Sequence, residues 1–175
     1  YKLNIMSVLK PVTEPIVKAE SKVKKVCIIV SKSTLDNVYA AFILANGARM
    51  EGIDAEMFFT FFGLEAINKS KLNDLHVATV GNPAMHIPTL LGGLPGMESF
   101  ATNMMKKEME KLDIPPIDEF LEILVASGVK IWGCKLAMDM FHLKREDLID
   151  DMDGVLTVGD FYNRAHGDGT HLMFI

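Results

Sequence analysis

The stretch with the clearest chemical potential is "KIWGCKLAMDM", Lys130 to Met140, in which a cysteine follows an apolar run and a glycine. In open α/β sheets, sites form outside the carboxyl ends of the strands, which is where this pattern places Cys134. The helix-forming residues that follow would direct backbone N–H groups and a positive dipole end toward its sulfur. With Lys135 adjacent, these features favour the nucleophilic thiolate. Cys134 is therefore the candidate catalytic residue, and the open alternative is an inert core cysteine.

The second cysteine has a different setting. Cys27 lies within "VCIIV", a β-branched run typical of a parallel strand that is buried on both faces. This position predicts a packing role for Cys27. The two cysteines do not form a Cys-x-x-Cys motif or a disulfide framework, and a reducing cytoplasm is the expected compartment.

Other candidate site residues follow neighbouring strands. Ser33 and Asp36 belong to "STLD", a capping-box pattern directly after the first strand. Phe62 and Gly63 end the second strand, and Met85 lies in a long connection rich in glycine and proline. We predict that these five residues border the crevice of Cys134, although Ser33 and Asp36 have helix capping as the simpler explanation.

Two further motifs do not predict a cofactor. "GGLPG" lacks the lysine and the strand–loop–helix context of a phosphate-binding loop. "HGDGTH", His166 to His171, is more typical of a turn before the last strand than of a metal site. The other histidines are scattered without an i, i+4 pair. We therefore expect no metal and no cofactor.

The composition limits the possible partners. The 175 residues include 18 basic and 23 acidic side chains, which gives a net charge of −5 and makes nucleic acid an improbable partner. Hydrophobic residues make up 49% of the chain, but no apolar run reaches the ~18 residues of a spanning helix. We assign the excess apolar surface to the core and to contacts between subunits, with membrane-surface association as the weaker alternative.

The order of predicted elements indicates the fold class. Residues 1–25 are predicted to be an N-terminal arm or linker, and residues 26–175 the folded domain. Strands alternate with helices, which predicts a three-layer α/β/α sandwich with a mainly parallel five-stranded sheet whose strand order stays open. The predicted strands are 26–30, 55–61, 129–132, 155–158 and 171–175. One predicted helix follows the first strand and ends at Met50. Further helices are predicted at 64–69, 99–111, 117–126, 135–141 and 144–150, with a helical turn at 160–164. An irregular connection is predicted at 73–97.

Several segments, in order, resemble a known family. They are "SKSTLDNVYAAFILANGA", "FFTFFGLEAI", the Gly/Met-rich segment Met85 to Met109, "GVKIWGCKLAMDM", "KREDLIDDMDGV" and "HLMFI". Together they resemble the DsrE/DsrF-like sulfur-relay family, in the branch with a Met-rich insertion, some members of which carry the label "peroxiredoxin family protein". The resemblance covers residues 26–175.

This resemblance carries several expectations. It implies a three-layer α/β/α domain, a homo-oligomer, and a cysteine at position 134 that accepts sulfane sulfur as a persulfide or thiosulfonate. It implies TusA-type carriers and rhodanese-like or heterodisulfide-reductase-like proteins as partners, with no metal or nucleotide. The chain departs from the pattern at Ala137, where relatives often have serine, and at Phe141 and His142, where "MG" is common.

Three functions are compatible with these observations. The first is a sulfur carrier or sulfurtransferase in which Cys134 is the nucleophile and Lys135 stabilises its thiolate. The second is a thiol-dependent peroxide-reducing enzyme, which predicts sulfenic acid at Cys134. The third is a non-catalytic oligomeric subunit, in which Cys134 is structural and resists thiol reagents.

Overall fold

The computed structural model describes residues 22–80, 82 and 88–175. Most of the predicted arm, residues 1–21, and the candidate site residue Met85 lie outside the described residues. Within the described part, no helix combines the length and the apolar character needed to cross a lipid bilayer.

The sheet contains five parallel strands, so that their carboxyl ends share one edge. The strands are β1 (Lys25–Val30), β2 (Asp54–Phe59), β3 (Lys130–Cys134), β4 (Gly154–Leu156) and β5 (Thr170–Phe174). Their order is β4-β3-β2-β1-β5, and the confirmed α/β architecture thus has a fully parallel sheet. Continuous apolar runs such as "VCIIV" suit the inner strands because both of their faces are covered.

Helices cover the two faces of the sheet unequally. The connections β1–β2 and β2–β3 run in one direction along the sheet and β4–β5 runs back. Right-handed crossovers therefore place α6 (Val158–Arg164) opposite α1 (Leu35–Met50) and α4 (Ile117–Ala126). Stacking of Phe58 on Phe161, with 4.5 Å between ring centroids, fixes α6 to its face. On the other face, Phe42 of α1 meets Phe120 of α4 at 5.5 Å. The α-helices are α1 (Leu35–Met50), α2 (Thr89–Gly92), α3 (Met97–Glu110), α4 (Ile117–Ala126), α5 (Lys135–Met140) and α6 (Val158–Arg164).

The N-cap position of the first helix lies one residue later than the sequence pattern indicates. Thr34, not Ser33, is the N-cap residue of α1, and the side-chain amide of Asn37 donates to its hydroxyl. The predicted capping box between Ser33 and Asp36 is therefore wrong, since the helix begins at Leu35.

Two other predicted boundaries are wrong because tertiary contacts override local propensity. Strand β2 ends at Phe59, not at residue 61, and a 3₁₀ helix spans Phe61–Ile67. The helix predicted at 144–150 is reduced to a 3₁₀ turn at Arg145–Asp147. Beyond that turn the backbone N–H of Ile149 donates to the carbonyl of Ile67 at 2.9 Å, which holds the chain extended.

Candidate functional site

Cys134 lies where β3 ends and α5 begins. It is the last residue of β3 and the N-cap of α5, with extended dihedral angles of φ −79° and ψ 118°. Alternation along the strand places its side chain on the same side of the sheet as Trp132, and its register partner is Leu156 of β4. The residue is 4% exposed, whereas Cys27 is 0% exposed. Both cysteines are therefore buried, and only Cys134 keeps a small accessible area, at the carboxyl edge of the sheet.

The residue before Cys134 allows close packing over the end of β3. A Cβ at Gly133 would lie 3.1 Å from the terminal methyl of Met152 and 3.5 Å from the sulfur of Met138. Glycine at this position lets both methionines cover the strand on the side opposite α6. The backbone that carries Cys134 is consequently held in place from that side.

Lys135 has a charge partner on its own helix. Its ammonium forms an ion pair with Asp139, one turn further along α5, and both side chains are more than half exposed. The first N–H groups of α5 have no acceptor within the helix because of helix geometry. The predicted stabilisation of a Cys134 thiolate by Lys135 stays a prediction, and the observed pair shows that Asp139 competes for that ammonium.

Phe62 is brought next to the helix that Cys134 begins. Its ring contacts Phe141, which follows α5 directly, with 5.5 Å between ring centroids. The two rings line a cavity of about 150 Å³ together with Phe61, Leu64, Glu65, Asn68, Lys71 and Leu143. Phe61 and His142, on either side of this contact, have positive φ angles of 46° and 55°. Such left-handed backbone in non-glycine residues is uncommon and concentrates at functional sites.

The backbone at the carboxyl edge of the sheet leaves no room for a side chain at Gly63. A Cβ there would lie 2.1 Å from the carbonyl oxygen of Val30, which is closer than any real contact. The N–H of Gly63 donates to the carbonyls of Ser31 and Thr60. Gly63 therefore lets the 3₁₀ helix Phe61–Ile67 pack on the end of β1, and it is not among the residues that line the cavity of Phe62.

Ser33 and Asp36 share the edge with Cys134 but belong to a more distant strand. They follow β1, and β2 lies between β1 and β3. Neighbouring strands are about 4.8 Å apart, so these residues begin about 10 Å from β3 along the sheet. Their predicted place on the rim stays a prediction, as does that of Met85, which is outside the described residues.

A buried carboxylate on the α6 side of the sheet anchors β3 to its surroundings. Glu56 accepts hydrogen bonds from the indole N–H of Trp132 at 2.9 Å and from Arg164 Nε at 2.7 Å. Its other oxygen lies 2.6 Å from the ammonium of Lys25. Burial acts to raise the pKa of Glu56, but hydrogen bonds from Arg164 and Lys25 outweigh burial and leave this pKa lowered. The Arg164 guanidinium also lies 4.4 Å from the centre of the Trp132 ring.

This Glu56 cluster defines the environment of Cys27. Cys27 is the register partner of Glu56 and lies on the same side of the sheet. Burial raises the pKa of the Cys27 thiol, with a smaller lowering by Lys25. The thiol is therefore neutral and enclosed, as its position in the sequence predicts.

Sequence reasoning did not identify Glu56, Arg164 or the Phe62–Phe141 contact. A glutamate within the otherwise apolar run "AEMFFTF" was the available signal for a buried charge. No comparable signal links Phe62 with Phe141, because 78 residues separate them in the chain and only folding brings them together. Among the residues that the structure describes, no group of three or more His, Cys, Asp or Glu side chains could hold a metal ion.

The fold is thus a parallel α/β sheet, and the candidate site is a buried cysteine where a strand meets a helix. The sequence matches the DsrE/DsrF/DrsH-like family over residues 22–173, and the chain belongs to this family. The sulfur carrier protein DsrE2 of Allochromatium vinosum is 36% identical over 138 residues, 74% of this chain and 86% of that protein. The uncharacterized protein YrkE of Bacillus subtilis is 27% identical over 135 residues, 74% of this chain and 84% of that protein.

Solved structures support the fold alone. The protein of unknown function MTH1491 from Methanobacterium thermoautotrophicum superimposes with a TM-score of 0.53 at 10% identity, over 86% of this chain and 98% of that chain. The ychN protein from E. coli also gives a TM-score of 0.53, at 16% identity, over 87% of this chain and 99% of that chain.

Proposed function

We propose that the protein is a sulfur carrier of sulfurtransferase type that holds sulfane sulfur on Cys134. The observation that carries the proposal is the position of this cysteine, at the carboxyl end of β3 and directly before α5. Membership of the DsrE/DsrF/DrsH-like family and the 36% identical relative named a sulfur carrier protein support it. The other cysteine, Cys27, is fully enclosed and is not available for this role.

The chemistry requires one thiolate and no external oxidant. The Cys134 thiolate attacks a sulfane sulfur of a donor such as tetrathionate, a new S–S bond forms, and thiosulfate leaves with the electron pair of the broken S–S bond. A polysulfide donor gives the persulfide in the same way, with the shortened polysulfide as leaving group. In the second step, an acceptor thiolate attacks the outer sulfur of that persulfide and Cys134 leaves as a thiolate. The sulfur atom moves to the acceptor in the process.

Transfer requires a local opening around the end of β3, because Cys134 is only 4% exposed. Cys134 is the N-cap residue of α5, which is short and has the exposed positions Leu136 and Met140. Short elements at a sheet edge open at a lower free energy than the interior of the sheet. Unwinding of α5 would free the end of β3 that carries Cys134 while the core remains folded.

The proposed partners are TusA-type carriers or rhodanese-like proteins that offer an acceptor or donor sulfur, in a cytoplasmic setting. A homo-oligomer is part of the proposal as well. Exposed apolar residues on the α6 side of the sheet support it, since α6 covers that face only in part. They are Val158, Tyr162, Leu172 and Phe174.

Intact-protein mass spectrometry tests the proposal with a matched pair of variants. After exposure to tetrathionate or polysulfide, wild type and Cys27→Ala should each gain one sulfur adduct, and Cys134→Ala should gain none. Adding a reduced acceptor thiol should return the adducted protein to its original mass. An adduct of equal yield on Cys134→Ala, or no adduct on wild type, would contradict the proposal.

The low exposure of Cys134 also favours a second candidate, a non-catalytic subunit whose cysteine is structural. The two candidates differ in native reactivity. A structural cysteine at position 134 should react with a thiol reagent as slowly as Cys27, and only after global unfolding. A carrier cysteine should react much faster than Cys27 under native conditions.

A further inference from the structure

A cavity of about 190 Å³ lies away from Cys134, between the α1–α4 layer and helix α3. Its inner wall is made by Leu35 and Tyr39 of α1 and by Ile117, the first residue of α4. Its outer wall is made by Met109 of α3. The remaining lining residues are Leu72, Asn73, Leu75, Lys106, Glu110, Ile114 and Pro116.

The long connection between β2 and β3 builds this cavity. Helix α3 is tied to the body through Thr102, whose hydroxyl accepts a hydrogen bond from the backbone N–H of Val77 at 3.0 Å. Ala101 and Thr102 are buried, whereas Met109 near the other end of the helix is only partly buried. The helix therefore packs closely at one end and leaves a space beneath the other. This space is not needed to cap a helix, and it is not part of the site at Cys134.

The lining of this cavity is apolar where it is deepest. Leu35, Leu75 and Ile117 are each buried, and their side chains offer no hydrogen-bonding group. The hydroxyl of Tyr39 donates to the carbonyl of Pro115 at 2.8 Å, so its hydrogen is already used. Burial, and then Asp118, raise the pKa of Tyr39 to about 12, which keeps the ring uncharged at neutral pH.

The charged lining residues cancel one another. Lys106 and Glu110 are one helical turn apart on α3, with opposite charges, and Glu110 is exposed. The amide of Asn73 faces Asp118, with its nitrogen 3.4 Å from a carboxylate oxygen. The lining therefore offers no net charge to attract an ionic group. An ionised group placed among the buried side chains of Leu35, Leu75 and Ile117 would lose its hydration there.

We propose that this cavity is a binding site for an uncharged, apolar small molecule of about the size of one aromatic ring. An apolar protein cavity of about 150 Å³ binds benzene, and this space, which is partly open to solvent, is of comparable size. Apolar pockets with few polar groups are also the usual form of small-molecule sites. The inference is independent of sulfur transfer at Cys134, and it gives the insertion between β2 and β3 a role as one wall of the site.

The test uses benzene as the probe, with benzoate as its charged counterpart, and protein carrying ¹³C-labelled methionine methyl groups. Saturable shifts of the Met109 methyl signal on adding benzene, with Met104 unaffected, are the expected result. Met104 is the matched reference because it lies on the same helix, is exposed and does not line the cavity. Benzoate should bind at least about tenfold more weakly, because its carboxylate would lose hydration among the apolar side chains of the cavity.

A pair of variants locates the site. Met109→Trp should fill the cavity and weaken benzene binding at least about tenfold, whereas Met104→Trp should change it less than about twofold. If Met109→Trp does not fold, Ile114→Phe serves as a second filling variant, and the methionine signals of wild type remain an independent readout. No saturable shift at Met109, equal binding of benzoate, or unchanged binding in a folded filling variant would each overturn the proposal.

Discussion

Cys27 and Cys134 lie on two strands of one sheet, with β2 between them, and the structure gives their thiols different surroundings. Cys27 is in mid-strand, fully enclosed, beside the Glu56 cluster, and burial raises its pKa. Cys134 ends its strand, starts a short helix and is buried with 4% exposure. The comparison shows that position along a parallel strand gives two buried thiols of one sheet different surroundings.

The largest expected effect is on the native reactivity of the two thiols. In a Cys27→Ala protein, iodoacetamide should modify Cys134 at least about 100-fold faster than it modifies Cys27 in a Cys134→Ala protein. Under the proposal, Cys134 needs only a local opening at the end of β3, whereas Cys27 requires unfolding of the sheet. Mass spectrometry over time gives both rates. In denaturant the two rates should converge, and equal rates in the native state would remove the distinction between the two sites.

Packing at the carboxyl edge of the sheet depends on the absence of a side chain at Gly63. Gly63→Ala should destabilise the protein by about 3 kcal/mol or more, because the new methyl would overlap the backbone carbonyl of Val30. Urea denaturation measures the loss. Gly47→Ala is the matched control, since a Cβ there meets nothing within 4 Å, and a helical glycine-to-alanine change should raise stability slightly. A Gly63→Ala protein as stable as wild type would show that the 3₁₀ helix shifts freely.

The interior around Cys27 depends on Glu56. Glu56→Ala should cost about 3 kcal/mol, at the low end for breaking a buried ion pair because Arg164 is 37% exposed. The variant should also increase Cys27 modification while leaving sulfur loading of Cys134 intact in the folded fraction. Glu119→Ala, at an exposed position, is the control and should change stability by less than about 0.5 kcal/mol. Loss of loading in folded Glu56→Ala would show that the two regions are coupled.

The ring contact of Phe141 should limit the rate at which Cys134 becomes exposed. Phe141→Ala removes the ring contact with Phe62 at the end of α5 and should cost about 1–2 kcal/mol, since Phe141 is only partly buried. Modification of Cys134 by iodoacetamide should become several-fold faster, with Cys27 unchanged. Leu136→Ala, exposed on the same helix, should leave both rates as they are. An unchanged rate at Cys134 in Phe141→Ala would exclude this contact from control of the opening.

The smallest expected effect is a pH dependence of stability that arises from Glu56. Its pKa is lowered from the ordinary value of 4.5 in the folded state, so the unfolded chain binds a proton more readily. The stabilisation is complete above pH 4.5 and is lost as the pH falls through the folded-state pKa. Unfolding temperatures of wild type and Glu56→Gln should therefore converge in acid. A constant difference between them from pH 7 to pH 3 would contradict this assignment.

Much of the fold could be predicted from local patterns. The runs that became β1 and β3 and the helices α1 and α4 are long or strongly apolar, so their types and approximate bounds follow from periodicity and length. The predicted helix at 144–150 failed because Ile149 pairs with the distant backbone of Ile67. The helix begins at Leu35 without a side-chain cap from Ser33 or Thr34, and the N–H of Leu35 donates instead to the distant carbonyl of His76 at 2.9 Å.

The sequence by itself determined that the domain is a parallel α/β fold and that Cys134 ends a strand while Cys27 lies within one. These features depend on residues that are neighbours in the chain, where propensity and apolar pattern act directly. Only the tertiary structure decided the strand order, the burial of Cys134, the Glu56 cluster and the cavity under α3. Each of these depends on segments that are far apart in the sequence, and their contacts form only when the chain folds.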